Sequence, residues 1–353
     1  MSIGEHNDVI SQTVNKMGMC ILNRPKALNS LSFSMMRKLH PQLLKWENDP
    51  AISFVVLKGA GKAFCAGGDI KALTQTPEGI NFFKEEYPLD YTIGTYKKPF
   101  ISLITGITMG GGFGLSVHGK YRVASEKTMF AMPETSIGLV PDVGGGYVLP
   151  RLQGKLGIYL GLTGFRLKGR DVHLAGIATH FVDSNKVSTL EEELAALDNP
   201  DHNNIQNLLD QFHKESTKES HEFILEPKME DINRSFSATT VEQIFTNLEK
   251  DGSEWALKQL ETLKKMSPTS MKITLRQLKE GANLSLKECF YMENRLCQRC
   301  IEDHDLREGV RAVLIDKDQN PQWKPARLED VTDERVDYYF SKLPDDRELV
   351  MQD

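Results

Sequence analysis

No stretch of this chain reaches the eighteen or so consecutive apolar residues that a membrane-spanning helix needs. No block of five or more Lys and Arg appears either, so the electrostatic footprint of a nucleic-acid binder is missing. Cysteine is scarce. Cys20, Cys65, Cys289, Cys297 and Cys300 are an odd and unevenly spread five, which fits a reducing compartment better than a disulfide framework. Cys297, Cys300 and His304 have the spacing of half a zinc site, but no second Cys/His pair lies close in sequence and structural zinc usually takes four such ligands. No metal is therefore expected, and Cys297 and Cys300 read as helix-surface residues. Residues 1–15 lack the charged, then apolar, then small order of a signal peptide, and they are neither Arg-rich nor acid-free as a transit peptide is. The closing Met-Gln-Asp is not a peroxisomal address. There is no repeat of fixed period and no low-complexity linker. What remains is 353 residues with a net charge of −6 and 40% hydrophobic content, ample for one large domain or two moderate ones in a soluble, intracellular globular protein.

Short apolar runs at Met17 to Leu22, Phe54 to Leu57, Phe100 to Ile104, Arg122 to Ala124, Met129 to Ala131 and Ile177 to Val182 read as buried strands. Helical patterns lie between them, as over Ser32 to Asn48, where Phe33, Met36, Leu39, Leu43 and Leu44 share a face and Pro50 ends the run. The class is α/β with a parallel or mixed sheet. From about residue 186 the patterns turn long, polar and helical: Glu191 to Leu197, Asn204 to Lys214, Thr240 to Met266, Ser270 to Glu280 and Leu286 to Glu302. The expected division is 1–185 for an α/β core and 186–353 for a mainly helical region. Val310 to Trp323 ends in a loop-like tail.

Several motifs are absent as well. The glycines at Gly110 to Gly112 lack the Gly-Lys-Ser/Thr ending of a Walker loop, and they do not fit G-x-G-x-x-G with an acidic residue at a later strand end. Ser116 and His118 do not form a G-x-S-x-G elbow, and two residues apart on a helix they face different ways. His173 and His180, near Asp171, read as satisfied histidines. Three segments stand out instead: F-C-A-G-G-D from Phe64, M-G-G-G-F-G from Met109, and M-P-E-T-S-I-G-L-V-P-D-V-G-G-G from Met132. The first two are strand-to-helix turns where glycine lets backbone amides come close to a ligand, as an oxyanion forming on a thioester carbonyl requires. The third carries Glu134 and, eight residues on, Asp142. Two carboxylates on one irregular loop can divide acid and base roles if their surroundings push their pKa values apart; otherwise one caps a helix and the other is solvated.

Together with L-N-R-P-K-A-L-N at Leu22 to Asn29, these segments resemble the crotonase (enoyl-CoA hydratase/isomerase) superfamily over about residues 10–185. L-T-G-F-R-L-K-G-R-D from Leu162 and the tail E-G-V-R-A-V-L-I-D-K-D from Glu308 are similar to its hydrolase branch. The resemblance implies a crotonase-like spiral of ββα units with C-terminal helices completing the site or a homo-oligomer. It implies an acyl-CoA substrate, with no cofactor beyond the CoA that is part of it. The oxyanion hole carries over to the Cys65 and Gly111 amides, and the working pair to Glu134 and Asp142. Glu86, in F-F-K-E-E-Y-P, matches a substrate-contacting glutamate that holds the acyl hydroxyl; Gly111, Glu134 and Asp142 contact the substrate too. Hydratases place a second glutamate where this chain has Gly114, which argues against water addition to a double bond. Thr105 stands where relatives often have His. Arg24, Lys26, Lys62 and Lys71 are the candidate CoA phosphate contacts, with no nucleic-acid or membrane partner. The implied reaction is hydrolysis of 3-hydroxyisobutyryl-CoA to 3-hydroxyisobutyrate and free CoA in valine breakdown, in animals in the mitochondrial matrix. Since residues 1–15 do not read as a transit peptide, a mature or trimmed form, or a cytosolic or peroxisomal one, stays open beside the matrix. Two alternatives stay open, an enoyl-CoA hydratase or isomerase of the same superfamily and a non-catalytic binding protein that keeps the fold.

Overall fold

The computed structural model describes residues 7–351, so the segments read for targeting lie partly outside the described residues, at 1–6 and 352–353. The chain divides into two compact units, each built from three segments. The first takes the described part of Met1–Gly68 with Pro88–Phe130 and Leu167–Phe223; the second takes Asp69–Tyr87, Ala131–Arg166 and the described part of Ile224–Asp353. This interleaving differs from a single cut after residue 185. The compositional change there marks the end of the last strand, at Phe181, which is where the alternating apolar signal stops.

The strands, in chain order, are β1 (Val9–Val14), β2 (Met17–Leu22), β3 (Phe54–Gly59), β4 (Ala63–Cys65), β5 (Phe100–Leu103), β6 (Ile107–Met109), β7 (Tyr121–Ala124), β8 (Met129–Ala131), β9 (Leu167–Lys168) and β10 (His180–Phe181). In the first unit six of them form a sheet in the order β1-β2-β3-β5-β7-β10, with β1 antiparallel to β2 and the other pairs parallel. Helices cover both faces, which is why these strands read as unbroken apolar runs. Alternate residues Met17, Met19, Phe54, Val56, Ile101, Leu103, Tyr121 and Val123 point to one face. There they pack with Leu190, Leu194, Ile205, Leu209 and Phe212 from the helices Val187–Ala195 and His202–Ser216. On the other face Gly18 admits the indole of Trp46, from the helix Phe33–Asn48; a Cβ at residue 18 would lie 2.7 Å from that ring. A second sheet runs β4-β6-β8-β9 and carries the glycine-rich turns at its strand ends.

The second unit is largely helical. Glycine allows its closest approaches, as where the helix Pro268–Gly281 meets the turn at Gly146: a Cβ on Gly281 would sit 2.0 Å from the Gly146 carbonyl oxygen. Thr240 to Met266, read as one helix, is two, Val241–Asp251 and Glu254–Leu263. Gly252, at φ +65°, ends the first in the left-handed conformation and the Ser253 hydroxyl caps the second. The helix Leu286–Glu302 starts with a reciprocal capping box between Ser285 and Glu288. All five cysteines are buried, which corrects the reading of Cys297 and Cys300 as helix-surface residues. Cys289, Cys297 and Cys300 fill the apolar stripe of that helix beside Phe290 and Leu296, behaving as small hydrophobes. No helix among the described residues is long and apolar enough to cross a membrane.

Candidate active site

In the first unit, strand pairing sets the two glycine turns side by side. β4 runs parallel to β6 with Cys65 opposite Thr108, so Cys65 and Gly111 belong to adjacent strand ends. Gly110 takes φ +47° and ψ −119°, a conformation glycine tolerates, and Gly111 begins the helix Gly111–Val117. Gly112 lies against the Cys65 carbonyl, where a Cβ would come within 2.1 Å of the oxygen. The backbone around Cys65 is pinned on both sides: Ala66 N–H donates to Leu28 O at 3.0 Å, and Leu31 N–H donates to Gly67 O at 2.8 Å. Asn29 closes the arrangement, its side-chain amide donating to Ala60 O at 2.9 Å and Ala63 O at 2.8 Å. That accounts for the last residue of L-N-R-P-K-A-L-N in physical terms. Arg24 and Lys26 line one cleft of about 740 Å³ with Asp8, Asn23 and Ser34, and Arg24 is tethered to Ser30 O at 2.6 Å. Lys62 is exposed elsewhere in the same unit.

The second unit holds the carboxyl groups. Glu134 opens a short 3-10 turn, Glu134–Ile137, directly after Pro133. It is 5% exposed, and Oε2 has no hydrogen-bond partner among the described residues. Burial, then the Asp142 charge, holds its carboxyl well above the ordinary range. Asp142 is 4% exposed, and its Oδ2 accepts the Tyr87 hydroxyl at 2.8 Å and lies 3.7 Å from Cys297 Sγ. Burial raises Asp142 while those two donors pull it back, leaving it at about 6. Glu86 is equally deep, its Oε1 without a partner among the described residues, and burial followed by the charges of Asp142 and Glu134 holds it high. The solvated or capping role open to Glu134 and Asp142 is thus overturned, and Glu86 is no surface glutamate. Lys71 is exposed.

Four residues that the sequence reading did not assign complete this cluster. Tyr87 follows Glu86 in the chain and sits fully buried between Phe83 and Phe290, with ring centroids 5.6 and 5.4 Å away. Glu293 accepts the amides of Gly144 at 2.7 Å and Gly146 at 2.8 Å, and burial raises it to about 8. Gln277 donates to Pro141 O at 2.7 Å and to Glu293 at 3.2 Å. Cys297 is one turn beyond Glu293 on the same helix face. The available signal was a charged residue inside the stripe Cys289, Phe290, Leu296, Cys297, Cys300, since a buried charge needs a reason. Other candidates dissolve into structure. Ser116 bonds back to Gly112 O at 2.8 Å, and His180 is buried between Thr179 and Asp210 at 2.8 and 3.1 Å. No group of three or more His, Cys, Asp or Glu able to hold a metal ion occurs among the described residues.

Residues 17–340 match the model of a family described as enoyl-CoA hydratase/isomerase. The chain is 57% identical to a protein of Danio rerio named 3-hydroxyisobutyryl-CoA hydrolase, mitochondrial, over 99% of this chain and 93% of that one. It is 55% identical to the Homo sapiens protein of the same name, over 97% and 92%. Among solved structures it resembles a carnitinyl-CoA dehydratase from Mycobacterium thermoresistibile, with a TM-score of 0.90 at 34% identity over 98% of this chain and 99% of that one. An enoyl-CoA hydratase from Rhodobacter sphaeroides is similar at a TM-score of 0.87 and 34% identity, over 98% and 100%.

Proposed function

The chain belongs to the enoyl-CoA hydratase/isomerase family, and from that premise we propose that it hydrolyses the thioester of 3-hydroxyisobutyryl-CoA to 3-hydroxyisobutyrate and free CoA. The observation that carries the reading is near full-length identity of 55–57% to hydrolases of that name. The second unit agrees with it. Four carboxyls, Glu86, Glu134, Asp142 and Glu293, are buried there, and none of the groups that shift them is a Lys or Arg. They cannot all ionise at neutral pH. Burial raises Asp142 to about 6, against the pull of the Tyr87 and Cys297 donors, and burial followed by the Asp142 charge pushes Glu134 upward, the direction that suits a proton donor.

That split assigns roles. Asp142 accepts the proton of the attacking water as its oxygen bonds to the thioester carbon. The Cys65 and Gly111 amides are assigned to the oxyanion, a pair worth a few kcal/mol in acyl transfer, about 3–4 for a single donor where one has been removed. As the carbon–sulfur bond breaks, the Glu134 carboxyl protonates the departing thiolate. Water and thioester are consumed, acid and thiol are formed, and CoA enters only as part of the substrate, so the reaction as written uses no cofactor. Glu86, with a buried oxygen lacking a partner, accepts the 3-hydroxyl. The other route has Glu134 attack the thioester carbon to form a mixed anhydride that water then opens. In a single turnover in oxygen-18 water the label is expected in the product alone; label in the Glu134 carboxylate would show that Glu134 attacks. Hydration chemistry is disfavoured because residue 114, where hydratases carry a glutamate, is a buried glycine. Relatives bear mitochondrial names, and the matrix is the proposed compartment, tested by fractionation with matrix markers.

A further inference from the structure

Asp142 and Glu134 are buried to nearly the same depth, yet they are furnished differently. Oδ2 of Asp142 accepts the Tyr87 hydroxyl at 2.8 Å, Cys297 Sγ stands 3.7 Å from that oxygen, and Tyr87 Oη is 3.2 Å from the sulfur. A closed triangle of two neutral donors therefore stands on one carboxylate oxygen. Oε2 of Glu134 has no partner among the described residues. Neutral donors stabilise the charged form of an acceptor and so favour ionisation where they point. The phenol cannot swing away, because its ring is buried between Phe83 and Phe290. The other titratable groups around Asp142 are Glu86 and Glu134, and Glu293, Cys297 and Cys300 from the helix Leu286–Glu302; none is a cation.

We propose that Tyr87, assisted by the Cys297 thiol, is the positioning residue that decides which carboxyl of the pair carries the negative charge, fixing it on Asp142 and leaving the proton on Glu134. The inference rests on the reading of Asp142 as the proton acceptor. It adds that the division of labour between two similar acids is made by a phenol that need not touch the substrate.

The test is kcat/KM against pH, which reports the free enzyme. Wild type should lose activity through an acidic limb near pH 6. Tyr87→Phe keeps the ring and removes one donor, so the limb should move upward by about one pH unit. This is roughly a tenfold loss on the acid side that is recovered at high pH. Cys297→Ala should move the limb the same way by less, because a thiol is a weak donor. Thermal melts and KM check that each variant folds and binds. If Tyr87→Phe lowers kcat/KM by one factor at every pH with the limb in place, the phenol only packs and the proposal is overturned. Should Tyr87→Phe fail to fold, an unmoved limb in Cys297→Ala overturns it instead. Wild-type turnover by Asp142→Asn overturns the proposal together with the reading beneath it, so the two failures are distinguishable.

Discussion

A buried carboxyl that must ionise for chemistry works against the fold that holds it. Glu86, Glu134, Asp142 and Glu293 keep protons in the native state that the unfolded chain releases near pH 4. Above that pH the native state therefore binds more protons than the unfolded one, and stability falls as pH rises. Asp142 contributes from its ordinary 3.8 to about 6, and Glu293 from 4.5 to about 8. Replacing Glu134 with Gln removes one such group while keeping its shape. The variant is expected to gain on the order of 1 kcal/mol near pH 8, roughly 1–2 °C in melting temperature, and nothing below pH 4. Melts of both proteins from pH 4 to 8 check this; a gain that does not grow with pH would contradict it. Glu134 and Asp142 were legible in the sequence because of their loop and the family match. Tyr87 and Glu293 were not, since one acts through a hydrogen bond and the other through backbone amides of a distant segment.

Among the elements, the loop Pro141 to Gly146 is where the second unit concentrates its restraint. Val143 takes φ +51°, a left-handed conformation that a β-branched residue adopts only when its surroundings enforce it. Glu293 grips the amides of Gly144 and Gly146, Gln277 grips the Pro141 carbonyl, and Gly281 lets its helix touch the loop. Gly281→Ala would drive a methyl group into the Gly146 carbonyl. It is expected to cost about 1–3 kcal/mol in urea unfolding and to lower kcat tenfold or more, because the displaced loop carries Asp142. Unchanged kcat in a destabilised Gly281→Ala protein would show that the loop is not held by this contact. Glu293→Gln replaces one acceptor by a donor facing an amide, and should lower kcat with little effect on KM, measurable in the same assay. Long strands and helices were readable because both sheet faces are buried and helix stripes are regular. The strand Val9–Val14 escaped notice because most of it is exposed. β4, β6 and β9 are too short for periodicity to register. Pro41 and Pro88 lie within helices, which local propensity argues against and tertiary packing permits.

For the molecule as a whole, the claim is one of chemistry: a family shared with hydratases, and a site set for thioester cleavage. The solved structures similar at 34% identity carry dehydratase and hydratase names, while the relatives at 55–57% carry the hydrolase name. A glycine at residue 114 and the roles proposed for Glu134 and Asp142 together predict that crotonyl-CoA hydration runs at least about a hundredfold below thioester cleavage. The decisive measurement is release of free CoA thiol from 3-hydroxyisobutyryl-CoA by the wild-type protein, Glu134→Gln and Asp142→Asn. The account predicts turnover in wild type and a fall of about 10²- to 10⁴-fold in each variant. A wild-type protein inert on this ester, or turnover that survives both substitutions, would contradict it.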